Sequence, residues 1–329
     1  MIRATLRRLW LPAAAACAAL ITLVPTASAA SNYTLVTLPD DGETAIYNFI
    51  NTATESVDVT MYELRDTTVT TDLVNLENAG VTVRVILDAQ HTSVNSAAYS
   101  ALEAGGVAVE YSSSAFTYTH QKTITVDGTE SYISTGNLDT KYYSTSRDYG
   151  VFDTDANDVA AIEAVFNADF AKTSITPSDG DDLVWSPTDS QSQILALING
   201  AQTSLDVEEE EFGDSTLVNA IVADANRGVT VRVVAEDENS SYDTELNEVT
   251  SAGGTVVTYT STSSSAYYIH AKAIVADYGT STAKVFVGSE NFSSNSLNNN
   301  RELGLIVSDS GILSGVEAGI VADINTGGN

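Results

Sequence analysis

The sequence predicts an α/β protein of two tandem lobes, each a mixed sheet flanked by helices, the pair related by pseudo-two-fold symmetry. Two observations carry that expectation. The first is internal repetition. Ser56-Val57-Asp58-Val59 returns 148 positions later as Ser204-Leu205-Asp206-Val207, and Gly80-Val81-Thr82-Val83-Arg84-Val85 returns letter for letter as Gly228-Val229-Thr230-Val231-Arg232-Val233. Ala104-Gly105-Gly106 is answered by Ala252-Gly253-Gly254. The second is the alternation of hydrophobic period within each copy, which places strands and helices in turn and implies a sheet that is at least partly parallel.

In the first copy, Ile46, Phe49 and Ile50 form an apolar helical face, and Val57 to Met61 reads as a strand. Thr71 to Ala79 reads as a helix that Gly80 ends, and Val81 to Leu87 is apolar enough for a buried strand. A further helix spans Val94 to Ala104, closed by Gly105-Gly106, before a strand at Val107 to Tyr111. The Pro/Ser/Asp stretch from Ile175 to Asp182 separates the copies, giving lobes at 31–178 and 179–329.

Residues 1–30 stand apart. Arg3, Arg7 and Arg8 precede an apolar run from Leu9 to Val24 that ends in Ala27-Ser28-Ala29, the pattern of a cleaved secretory signal peptide. The expected location is therefore extracellular or periplasmic. The single cysteine, Cys17, falls inside this segment, which leaves the mature chain without a thiol and excludes cysteine-based catalysis. The chain carries 44 acidic and 14 basic residues, a formal charge of −30. Such a surface disfavours non-specific binding of nucleic acid, although high salt would screen the repulsion.

Two of the three histidines stand in matched contexts: His120-Gln121-Lys122 running on to Asp127, and His270-Ala271-Lys272 running on to Asp277. On a strand, residues two apart share a face, so each pair sets an imidazole beside an ammonium. That combination suits attack on an anionic phosphodiester: the cation holds a phosphate oxygen and a neutral ring nitrogen can attack phosphorus. Each strand returns to an asparagine, in Ser134-Thr135-Gly136-Asn137 and Gly288-Ser289-Glu290-Asn291. Eleven residues later stands a carboxylate preceded by arginine, Arg147-Asp148 and Arg301-Glu302. A carboxylate bonded to the far ring nitrogen of a histidine fixes its tautomer.

These residues resemble the phospholipase D superfamily, whose signature is H-x-K-x4-D followed by G-S/T-x-N, and the resemblance covers nearly the whole mature chain. Ser134 stands where that family usually has glycine, Asp148 where glutamate is common, and the second hairpin is longer than the first by four residues. The resemblance implies tandem phospholipase D-like lobes sharing one active site, with His120 as nucleophile and His270 as acid. It implies that Lys122, Lys272, Asn137 and Asn291 bind the non-bridging oxygens and that Asp148 and Glu302 orient the histidines. It calls for no metal or other cofactor. Asp127 and Asp277, at the far ends of their strands, are expected to be structural, and Thr135, Ser289, Tyr118 and Tyr268 to contact substrate.

The expected activity is a phospholipase D-type hydrolysis of phospholipid headgroups, with transfer to another alcohol possible, by a monomer acting on membrane-bound or dispersed lipid. A nuclease of the same superfamily is the alternative, for which Arg84, Arg232, Lys141, Arg147 and Arg301 would supply a small positive cleft. A non-catalytic surface protein is a third reading, which the intact motifs disfavour. His91 has no counterpart in the second lobe and reads as a loop residue or minor contact. Glu208 to Glu211 suggest either a solvated face, a calcium site or, through the equivalent Glu63 and Glu211, partners for a motif lysine or an arginine near the cleft. Phe116, Tyr118, Tyr267 and Tyr268 flank the histidines as a binding mouth or simple packing.

Overall fold

A computed structural model of the chain describes residues 1–2, 31–261 and 267–328. From residue 3, the expected signal peptide lies outside the described residues. The first lobe runs β1 (Tyr33–Leu38), α1 (Thr44–Ile50), β2 (Ser56–Met61), α2 (Thr67–Ala79), β3 (Thr82–Leu87), α3 (Thr92–Ala104), β4 (Ala108–Tyr111), β5 (Lys122–Val126), β6 (Glu130–Ser134), β7 (Ser146–Asp153) and α4 (Ala156–Phe170). The second runs β8 (Leu183–Ser186), α5 (Ser190–Gly200), β9 (Ser204–Glu209), α6 (Ser215–Asn226), β10 (Thr230–Glu236), α7 (Asp243–Ser251), β11 (Thr255–Tyr259), β12 (Tyr268–Ile269), β13 (Lys272–Ala276), β14 (Lys284–Gly288), α8 (Ser294–Asn298), β15 (Glu302–Val307) and α9 (Ser310–Thr326).

The sheet orders are β1-β7-β6-β5-β2-β3-β4 and β8-β15-β14-β13-β9-β10-β11, the same order strand for strand. In each, the three strands that bracket helices pair in parallel and the others antiparallel. The expected mixed sheets flanked by helices are thus present in both lobes. The repeated Gly-Val-Thr-Val-Arg-Val segment has a clear local reason. Gly80 and Gly228 take φ of 97° and 94° to end α2 and α6, a conformation a Cβ disfavours. Arg84 then bonds Asp58, and Arg232 bonds Asp206, each directly opposite on the neighbouring strand.

Part of the acidic excess caps helices. Asp66, Asp155, Asp214 and Asp309 each accept two amide bonds at the start of α2, α4, α6 and α9, worth about 1 kcal/mol apiece. The cap explains why α2 begins at Thr67 rather than Thr71: Asp66 fixes the start despite the weak helix propensity of threonine.

Three apolar cores result. One lies under the outer helices of each lobe. The third is shared: Val151 and Ile133 of the first sheet meet Val275, Val285 and Leu303 of the second around Ile162 and Val165 of α4 and Val316 and Ile320 of α9. With helices or the other lobe on both faces, the central strands β5 and β13 are buried along their whole length. Among the described residues no helix is long and apolar enough to cross a membrane.

Candidate active site

The two histidines sit just before β5 and β13, on short segments that cross to the opposite lobe. The His120 amide donates to the Arg301 carbonyl at 2.9 Å, and the Arg301 amide returns to the Tyr118 carbonyl at 2.9 Å. Reciprocally, β12 pairs in parallel with Ser146 and Arg147 of β7, and the His270 amide donates to the Arg147 carbonyl at 3.2 Å. Each histidine is therefore held by backbone bonds to the strand that carries the other lobe's carboxylate.

The side chains follow the backbone. His120 Nδ1 lies 2.7 Å from Glu302 Oε2, and His270 Nδ1 lies 2.8 Å from Asp148 Oδ1. Both carboxylates are anchored from behind. Glu302 Oε1 accepts from Ser296 Oγ at 2.6 Å and Asn300 Nδ2 at 2.9 Å, and Asp148 Oδ1 accepts from Thr135 Oγ1 at 2.7 Å. With Nδ1 committed, Nε2 of each ring is left for chemistry in a cavity of roughly 220 Å³, lined by both histidines, Asn137, Asn291 and Asp148. Burial pushes the His120 pKa down, Glu302 opposing and Lys122 adding to the effect, which favours the neutral ring. Burial also works against the charge of Glu302, but His120 and Lys122 outweigh it and hold the carboxyl below its ordinary range.

Both motif lysines are buried, and each Nζ donates at 2.5 Å to the carbonyl of its own histidine. Desolvation drives Lys122 from 10.5 down to about 7. Lys272 differs: its Nζ also meets Glu210 Oε2 at 2.7 Å. The sequence expectation placed Glu63 and Glu211 beside a motif lysine or an arginine near the cleft. The structure corrects this, because β9 ends at Glu209 and the chain bends at Glu210, so strand alternation no longer governs where that side chain points. Glu63 and Glu211 line the cavity instead. Glu208 bonds the Tyr149 hydroxyl at 2.7 Å, so the four glutamates diverge; among the described residues no cluster of His, Cys, Asp or Glu is arranged to hold a metal ion.

Asp127 lies away from the cavity and accepts from Thr54, Glu55 and Ser56; Asp277 does the same with Gln202 and Thr203. Thr135 and Ser289 were expected to touch substrate, and here the structure corrects the sequence. Both are fully buried, Thr135 Oγ1 on Asp148 and Ser289 Oγ on the Leu303 amide, so they brace β7 and β15. Tyr268 lines the cavity, its hydroxyl bonded to Glu210. Tyr118 stands farther out, edge-on to Tyr62 at 6.0 Å and beside His91. His91 is half-buried with Nε2 3.1 Å from the Tyr62 hydroxyl. Ser134 keeps its turn intact by accepting from the Gly136 amide at 2.9 Å.

Among the described residues the basic side chains expected to line a positive cleft do not form one. Arg147 is buried against Asp323 and Asp40, and Arg301 against Asp169 under the Phe116 ring. Arg84 and Arg232 are paired within their sheets, and Lys141 donates to the Tyr142 hydroxyl. Sequence reasoning did not single out Tyr62, Ser296 or Asn300. For Asn300 a signal existed, since it immediately precedes the Arg301-Glu302 pair.

The family model described as cardiolipin synthase, phospholipase D-like domain, matches residues 46–170 and 194–322. No curated protein matches the sequence. Among solved structures, polyphosphate kinase from Porphyromonas gingivalis aligns with a TM-score of 0.68 at 14% identity, over 89% of this chain and 50% of that one. The chain thus spans about half the length of that kinase. Phosphatidylserine synthase from Haemophilus influenzae aligns with a TM-score of 0.67 at 14% identity, over 90% of this chain and 86% of that one. At such identities the likeness concerns the fold.

Proposed function

The chain belongs to the phospholipase D-like family, and from that premise we propose that it is an exported phosphodiesterase that hydrolyses phospholipid headgroups through a phosphohistidine. The observation that carries this reading is the pair of imidazoles, each backed at Nδ1 by the opposite lobe's carboxylate and both facing one cavity. One histidine attacks phosphorus through Nε2 while the other protonates the leaving oxygen. Water, giving its proton to that second histidine, then breaks the N–P bond. Lys122 and Lys272, with the amides of Asn137 and Asn291, hold the non-bridging oxygens.

The cavity lining bears on the substrate. Glu63 and Glu211 stand there with Tyr62, Tyr142, Tyr143 and Tyr268. Carboxylates and aromatic faces attract a cationic amine, which favours choline- or ethanolamine-type headgroups over a polyanion. Export rests on the signal-peptide pattern at residues 1–30.

Release of choline or ethanolamine from lipid vesicles tests the activity, with His120→Ala and His270→Ala as controls. Activity unchanged in both variants would end the mechanism. A labelled oligonucleotide run in parallel reads out the nuclease alternative, and the N-terminal sequence of the protein recovered from culture medium reads out export.

A further inference from the structure

The two half-sites differ at one position that bears on the order of events, and the inference drawn from it rests on the phosphohistidine reading. In the first lobe the chain leaving β2 places Tyr62 beside the motif pair, its ring 4.5 Å from that of His120 and 5.0 Å from the Lys122 ammonium. The repeat-equivalent residue of the second lobe is Glu210. Its carboxylate bonds Lys272 Nζ, accepts the Tyr268 hydroxyl and stands 3.6 Å from His270 Nε2. His270 thus lies between two carboxylates, Asp148 at Nδ1 and Glu210 facing Nε2. His120 has one, Glu302 at Nδ1, and a phenol ring at its side.

With a carboxylate facing each nitrogen, a proton on either one has an acceptor in reach, so the pair of anions orients the His270 Nε2–H on the cavity side. Glu210 is itself kept ionised: burial opposes the charge, but Lys272 and His270, with the Lys272 and Tyr268 hydrogen bonds, hold it well below the usual carboxyl range. We propose that Glu210 is a positioning residue that fixes the order of the two histidines, supporting His270 as proton donor and leaving His120 to attack phosphorus. In the first step the lone pair of His120 Nε2 forms the N–P bond, the P–O bond to the leaving alcohol breaks, and the His270 Nε2 proton passes to the departing oxygen. In the second, His270 takes a proton from water, the water oxygen bonds phosphorus, and the N–P electron pair returns to His120. The position is thus asymmetric between half-sites whose histidine, lysine and asparagine correspond.

The groups that face His270 are Asp148 from β7, Glu210 after β9, Tyr268 from β12 and Lys272 from β13. Those that face His120 are Glu302 from β15, Tyr62 after β2 and Lys122 from β5, with Lys272 across the cavity. The test compares the wild-type mature chain, Glu210→Gln and Glu210→Asp on two phosphatidyl diesters. One carries p-nitrophenol, which leaves with little protonation; the other carries choline, which needs an acid.

The expected result for Glu210→Gln is a fall in kcat of about 10²-fold on the choline ester and less than about tenfold on the nitrophenyl ester, the size of a lost general acid. Glu210→Asp recovers most of the rate. In His270→Ala, alkaline quenching with the nitrophenyl ester places the phosphoryl label on His120. Equal losses on both esters would overturn the proposal, leaving Glu210 a packing residue. A gain in rate would overturn it by showing an anion that only competes with phosphate for Lys272. Label on His270 in His120→Ala, with none on His120 in His270→Ala, would reverse the order while keeping the phosphodiesterase reading. No cleavage and no label in the wild type would remove that reading and this inference with it.

Discussion

His120 Nδ1 lies 2.7 Å from Glu302 Oε2, a carboxylate 182 residues away on the opposite lobe, and His270 makes the reciprocal bond to Asp148 across 122 residues. At Nδ1 each motif histidine is met by the opposite lobe's carboxylate and not by one of its own. The exchange follows from the backbone, because the residues before each histidine pair with β7 or β15 of the other lobe. The shared core around α4 and α9 holds those strands together, so the chemistry depends on packing far from the cavity.

Glu302→Gln tests the exchange most directly. The amide keeps the size of the carboxylate and can still bond Ser296 and Asn300, but it no longer stabilises the correctly oriented His120. A neutral replacement of a histidine-orienting carboxylate costs on the order of 10⁴ in kcat in a well-studied triad, and a fall of 10² or more with KM little changed is expected here. Steady-state kinetics on a choline ester check it. A loss confined to KM would place Glu302 in substrate binding instead.

The fold, and most of the residues that the structure gathers around the cavity, were legible because the chain states them twice. Repetition fixed the lobes, and equal spacing of histidine, asparagine and carboxylate marked the half-sites. The partner exchange was not legible, since equal spacing within each lobe is compatible with pairing inside a lobe or between lobes. Glu210 was missed for a different reason. Period-two alternation applies only while the strand continues, and β9 stops one residue earlier. Thr135 and Ser289 were misplaced because hydroxyls beside a motif asparagine look available in sequence, whereas both are turned into the sheet.

Gly150→Ala tests how tightly the carboxylate strands are packed. Gly150 lies opposite Ser134 on β6, and a Cβ there would meet the Tyr132 ring at 2.2–2.4 Å. Tyr132 is buried, so the ring has little room to give way. Overpacking of this kind costs about 1–3 kcal/mol, and displacement of β7 would also disturb Asp148. Chemical denaturation should show the lower midpoint, with kcat reduced in the fraction that remains folded.

Asp127→Asn separates the motif's structural residue from its reacting ones. Burial opposes ionisation of Asp127, but amide bonds from Ser56, Glu55 and Thr54 prevail and hold it at about 2 against an ordinary 3.8. A depressed folded-state value contributes stability above pH 3.8 that is lost as pH falls through about 2. The contribution is modest because the group is partly solvated. The variant should therefore lose about 1 kcal/mol at neutral pH, less near pH 2, with kcat per folded molecule unchanged. Denaturation curves at two pH values, with activity normalised to folded protein, measure both.

Lys122→Met sets stability against activity. The wild-type ammonium is fully buried, its value brought from 10.5 to about 7 by desolvation. Between those limits the unfolded chain binds a proton at Lys122 that the folded chain lacks, so wild-type stability rises with pH from about 7 to 10.5. Methionine fills a similar volume without a charge to desolvate, and replacing buried charge by an apolar side chain stabilises by roughly 1–4 kcal/mol. The gain of the variant over wild type should be greatest at and below pH 7 and shrink toward pH 10.5. Activity should fall at least about 10²-fold, because the non-bridging oxygens lose a preorganised cation. Urea midpoints at pH 6 and pH 9, read beside kcat, decide the matter: a variant less stable at pH 6 would mean that the Lys122 bond to the His120 carbonyl outweighs the cost of burying the charge.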